Sequence, residues 1–563
     1  LKPFVALDGS RFMGLGTHLK YYIEEGGTYN DITPIRSTTG AGDVTFSATN
    51  GSATLTVSDT AHGAVAGDYV TFSGAASLGG NITAAVLNIE YRIDTIINDN
   101  SYTVVASATA NSSDTGNGGS STVGAYQINT GLDTSVSGTG WGVGTWGREG
   151  WGDAAAATGT TSILRIWTHD NFGEDLIINV RDAGIFYWDK TLGLSSRAVA
   201  ISDRTNADST TPTIAKQVLV SDRDRHIIAF GCDAENAIGT QDPLLIRFSD
   251  QEDPTTWQSL PSNTAGDLRI GSGSEIVAAV ETRQQILVYT DVSLHAMQFL
   301  GPPFTFGISL GSENTTIMSP LAAIAHDDVV YWMGFEEFYV FSGQVQRIPC
   351  TVRSYVFDDF NREQKEKVFA ASNSAYSEVW WFYPSSTANE VDRYVVFNYQ
   401  ENAWYYGTLV RTAWVDRGIN DYPVATFTDG RQYFQELGLD DNTSSPAVAI
   451  NAHIESSQID LADGEQFAFI RRIIPDITFE NSTAASPNVV FTTKVRDFPG
   501  GNYDSEDPAT VTRSATTPVE QFTNQVHLRL RGRSFALRVA SSDTETQWRL
   551  GSARLDVRPD GRR

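Results

Sequence analysis

The chain has 563 residues and a formal net charge of −27, with 40% hydrophobic and 19% charged residues. This is the composition of a folded chain long enough for several cores. The acidic excess argues against a surface that grips nucleic acid throughout, because phosphate contacts need Lys and Arg. No run of about 18 apolar residues is present, which argues against a helical membrane span. The opening LKPFVALDGSRFMGLG lacks the basic-then-apolar layout of a signal peptide.

Aromatic residues and glycines are abundant, with 12 Trp, 21 Tyr, 28 Phe and 49 Gly, and this favours strands joined by tight turns. Residues 1–36 read as a hairpin-like start. Residues 37–140 differ sharply, being rich in Thr, Ser, Ala, Val and Gly, with Arg92 the only Lys or Arg. Strand patterns stand out at 43–48, 53–59, 68–75 and 90–108, the last turning at Asn98-Asp99-Asn100. Residues 111–122, NSSDTGNGGSST, have linker composition. The expectation is a small β-barrel or β-sandwich inserted into a larger domain, serving as a spacer or as a surface that meets a neighbour or host.

The run GTGWGVGTWGREGWG follows at 138–152, with Trp141, Trp146 and Trp151 spaced by glycines. Glycine permits close backbone approach and indoles supply large apolar contact area. The segment reads either as packing where the insertion rejoins the body or as a candidate subunit interface, with a sugar-binding shelf as a third reading.

Residues 141–440 carry apolar hairpins that recur at 176–190, 226–250, 286–300, 329–343, 379–400 and 424–437. Their starts lie about 43 to 60 residues apart, a propeller-like period. Each has an apolar strand, a short break and a second strand rich in Tyr, Phe or Trp. Two strands cannot bury both faces alone, and radial packing solves this. FMGLGTHLKYYIEEGG (12–27) resembles WMGFEEFYVFSGQ (332–344), which suggests a first unit before the insertion. The expected fold is all-β: a propeller of six or seven blades interrupted by residues 37–140, then a C-terminal β-rich domain over 441–563. There, Leu528 and Leu530 alternate with Arg529 and Arg531, as in a strand with one buried face. The Arg stripe is either a solvated face or a seat for a carboxylate-rich neighbour.

Catalytic signatures are sparse. HExxH, paired CxxC, Walker loops and GxSxG are absent, and Gly14-Leu15-Gly16 fits a hairpin turn better than a dinucleotide site. FSDQEDPTTWQ (248–258) only partly matches a sialidase Asp-box and reads as a turn carrying a packed Trp257. His169-Asp170 could form half of a triad, but a strand-end turn with hydrogen-bonded side chains is the favoured reading. Cys232 and Cys350 read as free thiols. No cofactor or metal is expected.

Several stretches together resemble virion proteins of tailed phages: 14–36, 140–152, 166–189, 248–291 and 532–563. The chain resembles tail nozzle proteins of short-tailed phages, also described as packaged-DNA stabilisation proteins. The resemblance implies a propeller body in a hexameric ring below the portal and adaptor. Tail fibres or a tail tip would be further partners, and duplex DNA would pass through the lumen without sequence-specific binding. It implies location in the virion tail, with host cytoplasm during assembly, and no catalysis. An acidic lumen would repel the phosphates and let DNA slide. A receptor-binding or fibre-attachment subunit and a glycan-cleaving propeller enzyme are the alternatives.

Overall fold

The computed structural model describes residues 1–132, 164–460, 464–498 and 513–562. Two compact units divide the chain, Leu1–Gln435 and Glu436–Arg563.

Outside the insertion, the first unit holds seven antiparallel sheets in chain order among the described residues, six of four strands and one of three. The first sheet runs Lys2–Val5, Arg11–Gly16, Tyr21–Glu25 and Thr28–Asp31. After the insertion, the later sheets begin with Trp167–Phe172, Gln217–Val220, Ile276–Glu281, Ala323–His326, Phe369–Asn373 and Ala413–Val415. The first strand of each sheet lies against the first strand of the next. That places one strand per sheet around a common axis, the arrangement of a β-propeller. The ring closes where Gln432 Nε2 of the seventh sheet donates to Tyr29 Oη of the first, 3.1 Å. Phe12, Met13, Val424 and Phe434 line a cleft at the same junction.

In blades 2 to 6 the recurrent apolar hairpins are the two middle strands, and in the three-stranded seventh sheet the hairpin is the middle strand Val424–Thr426 with the edge strand Gln432–Phe434. In blade 2 the middle strands are Asp175–Val180 and Ile185–Trp188; in blade 6, Glu378–Tyr383 and Arg393–Asn398. Arg11–Gly16 with Tyr21–Glu25 holds the same place in blade 1 as Val329–Met333 with Phe338–Phe341 in blade 5, so the internal likeness marks equivalent strands.

Middle strands are largely apolar on both sides because both of their faces are covered, and polar residues within them, such as Asn179 and Arg247, are buried and hydrogen-bonded. Consecutive side chains point to opposite faces. Leu176 and Ile178 therefore enter the core between blades 1 and 2, and Ile177 the core between blades 2 and 3. Ile227 and Ala229 face blade 2, while Ile228 and Phe230 face blade 4. Leu287 and Tyr289 face blade 5, and Ile286 and Val288 face blade 3. The largest cluster spans blades 4 to 6 and buries Trp332 and Trp381 completely. Each fully buried aliphatic or aromatic side chain contributes about 1.5–3 kcal/mol, so adhesion between blades is distributed around the ring.

Residues 35–127 form an eight-stranded sheet from Ile35–Thr38 to Val123–Gln127. Its two halves fold onto one core. Phe46 meets Phe72 edge-on at 4.9 Å, and Tyr102 and Tyr126 share a hydrogen bond of 2.8 Å. The stretch of linker composition is not a linker: Asp114–Asn117 pairs with Thr45–Ala48 as the edge strand. Gly118, at φ +128°, lies where a Cβ would press on Phe46. The glycines there serve a close turn over the core rather than chain flexibility.

A charge cluster ties this module to the propeller. Lys20 pairs with Asp31 at 2.8 Å and with Glu90 of the insertion, and Arg197 of blade 2 meets Asp31 at 2.6 Å and Glu90 at 3.3 Å. Lys20 also lies over the Tyr69 ring, 4.4 Å from its centroid. Burial lowers the Lys20 pKa, but Asp31 and Glu90 outweigh it and raise the ammonium above its ordinary value. The entry and exit of the insertion are paired strands, with Ser37 opposite Tyr126.

The second unit is a two-sheet β-sandwich. One sheet centres on Asn488–Arg496 and Ser534–Ser541, the other on Ala468–Ile474 between Val526–Gly532 and Arg554–Pro559. Ile470, Ile473, Leu528 and Leu530 of the second sheet share a core with Phe491, Val495, Phe535 and Val539 of the first.

Candidate functional site

Two surfaces carry most of the chemistry: the inner ring of the propeller and one face of the sandwich.

The seven innermost strands hold only three charged residues, Lys2, Asp170 and Glu281, with His169 and His326. The acidic excess lies elsewhere, and the axis of a single propeller is not an acid-lined tube. The polar groups here bind one blade to the next. Thr168 Oγ1 accepts from Val218 N at 3.1 Å, and Asp170 Oδ2 from Val220 N at 3.0 Å. The Gln217 amide meets both backbone groups of Ala279, at 2.6 and 2.8 Å. Glu281 Oε1 accepts from Asp222 N at 3.0 Å. Farther round, Asp416 Oδ2 accepts from Ser374 N at 2.9 Å. Innermost strands do not form a continuous sheet with one another, so side chains satisfy the amides that a neighbouring strand would.

His169 and Asp170 sit inside the strand Trp167–Phe172, not in a strand-end turn. Polar residues are tolerated mid-strand because each is fully engaged. Lys2 Nζ meets Asp170 Oδ1 at 2.5 Å, and Tyr21 Oη lies 2.7 Å from His169 Nδ1. Burial holds the His169 imidazole well below its usual pKa, hence neutral at pH 7. Glu281 is pushed up to about 8, first by burial and then by the charges of Asp222 and Asp170.

The Asp-box-like segment is a turn. Asp250 accepts from Thr264 N at 2.8 Å, Asp253 from Thr255 N at 2.8 Å, and Trp257 is fully buried, its backbone N donating to Asp208 Oδ2 at 2.5 Å and its indole Nε1 to Pro254 O at 2.9 Å. Asp250 and Asp253 are committed to the loop itself, while Glu252 pairs with Arg225 at 3.1 Å on the surface. A cluster that sequence reading missed lies between blades 3 and 4, where Ser272 Oγ is 2.9 Å and Ser293 Oγ 3.1 Å from His295 Nε2. Burial lowers the His295 pKa. Nothing in the sequence relates Ser272 to His295; the strand register does. Cys232 and Cys350 are free, and burial raises their thiols to about 12 and about 11. No group of three or more metal-ligating side chains occurs among the described residues.

Trp141, Trp146 and Trp151 lie outside the described residues. Arg529 and Arg531 lie in Val526–Gly532, where Leu528 and Leu530 point inward and the arginines outward. The structure adds companions from the adjacent strands. Phe469 stands between Arg531 and Arg558, and Arg472 between His527 and Asp556. A register shift at Ile470/Arg472 turns both Arg471 and Arg472 outward. Arg554 continues the face opposite Ile474. Asp556 meets Arg472 at 3.6 Å, and Asp560 meets Arg531 at 2.5 Å. Arg471, Arg529 and Arg554 are exposed and make no ion pair among the described residues. Six arginines against two acids leave this face about four charges positive on a chain of net charge −27.

No protein-family model matches the sequence, and no curated protein matches it. Among solved structures, the chain is similar to a phage phi92 endosialidase, with 11% identity over 84% of this chain and 72% of that one, at a TM-score of 0.19. It is also similar to a Trp149Ala mutant of Synechocystis apocarotenoid oxygenase, with 7% identity over 70% of this chain and 87% of that one, at a TM-score of 0.27. At these scores neither likeness bears on function.

Proposed function

We propose that this chain is a structural protein of a virus particle, a tail nozzle subunit of a short-tailed phage. In this reading the subunits form a homo-oligomeric ring, hexameric by resemblance, below the portal and adaptor. The ring holds packaged DNA and conducts it during ejection, and the subunit performs no catalysis.

The observation that carries the reading is the segregation of charge. An acidic propeller with a clamped, nearly base-free insertion is joined in one chain to a sandwich with a basic face. A ring needs a heterologous contact between two different patches on each subunit. Acidic outer surfaces also repel DNA phosphates, which favours passage over capture. The polar groups of the inner ring support the same reading, since they are committed to joining blades.

The test is DNA retention. Phage heads assembled without this chain should package DNA and then leave it open to nuclease, and the purified protein should restore protection. Heads that retain DNA equally well without it would refute the proposal. Cleavage of host glycans by the purified chain would favour the enzyme alternative.

A further inference from the structure

The arginine face raises the question of its partner. Its three strands bury their other side in the sandwich core, so the outward row is a fixed surface and not a set of independent side chains. Arg471, Arg529 and Arg554 stand exposed on it. Arg531 lies over the Phe467 ring at 3.9 Å, and Arg533 at 4.9 Å from the same ring, so planar guanidinium groups there are held in place. Pre-oriented guanidinium forks suit carboxylates, which they can engage in pairs.

The same chain supplies a matching surface. Residues 37–132 carry seven acids and one base, Arg92. Asp59 and Asp68 are buried and spent inside the module, on Tyr126 Oη at 2.6 Å and Thr130 N at 2.9 Å. Asp94 and Asp99 are exposed on one hairpin, Glu90–Asn98 with Ser101–Val105. That hairpin borders an open cleft of about 600 Å³ lined in part by Ile89, Arg92, Asp94 and Val105, so the module's one base sits beside Asp94 and the two aspartates leave the exposed hairpin one charge negative. Ile89 and Val105 are exposed at this cleft, and Ile97 is exposed farther along the same hairpin. Apolar side chains beside carboxylates fit arginine, whose stem packs while its head pairs. The clamp through Lys20, Glu90 and Arg197 fixes this hairpin on the propeller.

We infer that the arginine face of the sandwich docks on the acidic hairpin of the inserted module of a second copy of this chain. Resting on the ring reading, this would be its heterologous contact: one patch from each unit, opposite in charge, repeated head to tail. A carboxylate surface is favoured over DNA because the complementary acids and the apolar groups beside them belong to the same chain.

The experiment is a charge swap in the full-length protein, read by mass photometry and analytical ultracentrifugation at low and high salt. Arg471→Glu, Arg529→Glu and Arg554→Glu together should weaken self-association about a hundredfold, because like charges would face each other. Asp94→Lys with Asp99→Lys should do the same, and the five changes together should restore association. All these side chains are exposed, so thermal unfolding should match the parent and serves as the folding control. Self-association that ignores the triple reversal and salt overturns the inference while leaving the ring reading intact. A parent chain that stays monomeric at low salt overturns the inference, and one that stays monomeric with the adaptor ring present as well overturns the ring reading too. If duplex DNA binds the parent in a salt-dependent way that the triple reversal abolishes, while assembly persists in that variant, the face serves phosphates and the inference is wrong. Glycan cleavage with charge-swap rescue would sink the nozzle reading alone.

Discussion

The propeller and the C-terminal sandwich solve the same problem, burial of strand faces, in opposite ways. A middle strand of the propeller is covered on both sides, so Leu176, Ile177 and Ile178 in succession must all be apolar. A strand of the sandwich is covered on one side, so Leu528 and Leu530 alternate with Arg529 and Arg531. Charge in the propeller is thereby pushed to turns, outer strands and the insertion, whereas in the sandwich every second residue is available for it. This is how an acidic chain keeps one basic surface, and it makes the sandwich the place where charge can change without cost to the core.

The sharpest way to break this comparison is to empty a propeller core. Trp381 is fully buried, rests on Phe338 at 4.8 Å between centroids, and donates to Ala322 O at 3.0 Å. Trp381→Ala should cost about 3–5 kcal/mol in denaturant unfolding, with faster hydrogen exchange across blades 5 and 6. Leu528→Ala should cost about 2–3 kcal/mol, with faster exchange confined to residues 436–562. Spread of that change into the propeller would show that the two units are not independent.

Smaller effects test the clamp and the inner ring. Lys20→Met leaves Asp31 and Glu90 with one cation between them, Arg197. It should destabilise the first unit by about 2 kcal/mol and increase exchange at 35–38 and 123–127, where the insertion joins. Glu281 gives a pH test. Its folded pKa of about 8 lies above the ordinary carboxylate value, so the native state holds a proton that the unfolded chain releases. Its ionisation destabilises the fold progressively as pH rises toward and through 8, and the cost is absent in acid. Glu281→Gln should raise the melting temperature at pH 8.5 and flatten the slope between pH 6 and 8.5. An unchanged slope would assign that titration to another group. Smallest of all, Arg529→Ala should change stability by no more than about 0.5 kcal/mol.

The all-β propeller class was legible because the paired middle strands are the most apolar segments of each blade. The first and last strands were not, since Gln217–Val220 or Gly266–Arg269 bury less surface and carry little periodic signal. Arg529 and Arg531 were visible as an alternation, but Arg471, Arg554 and Arg558 join them only through a sheet register that includes a shift at Ile470/Arg472. The same holds for Lys20, Glu90 and Arg197, which are far apart in sequence and meet because the insertion returns to blade 1. Asp114–Asn117 was misread because Gly and Ser composition signals a flexible link and a tight edge turn equally well.

The central claim, that the chain is a ring-forming subunit of a phage tail, is tested most directly by the mass and symmetry of the purified assembly, from mass photometry and negative-stain imaging, alone and with the adaptor ring. The account predicts a sixfold ring with an axial opening. A closed trimer, or a chain that stays monomeric even with the adaptor present, would contradict it.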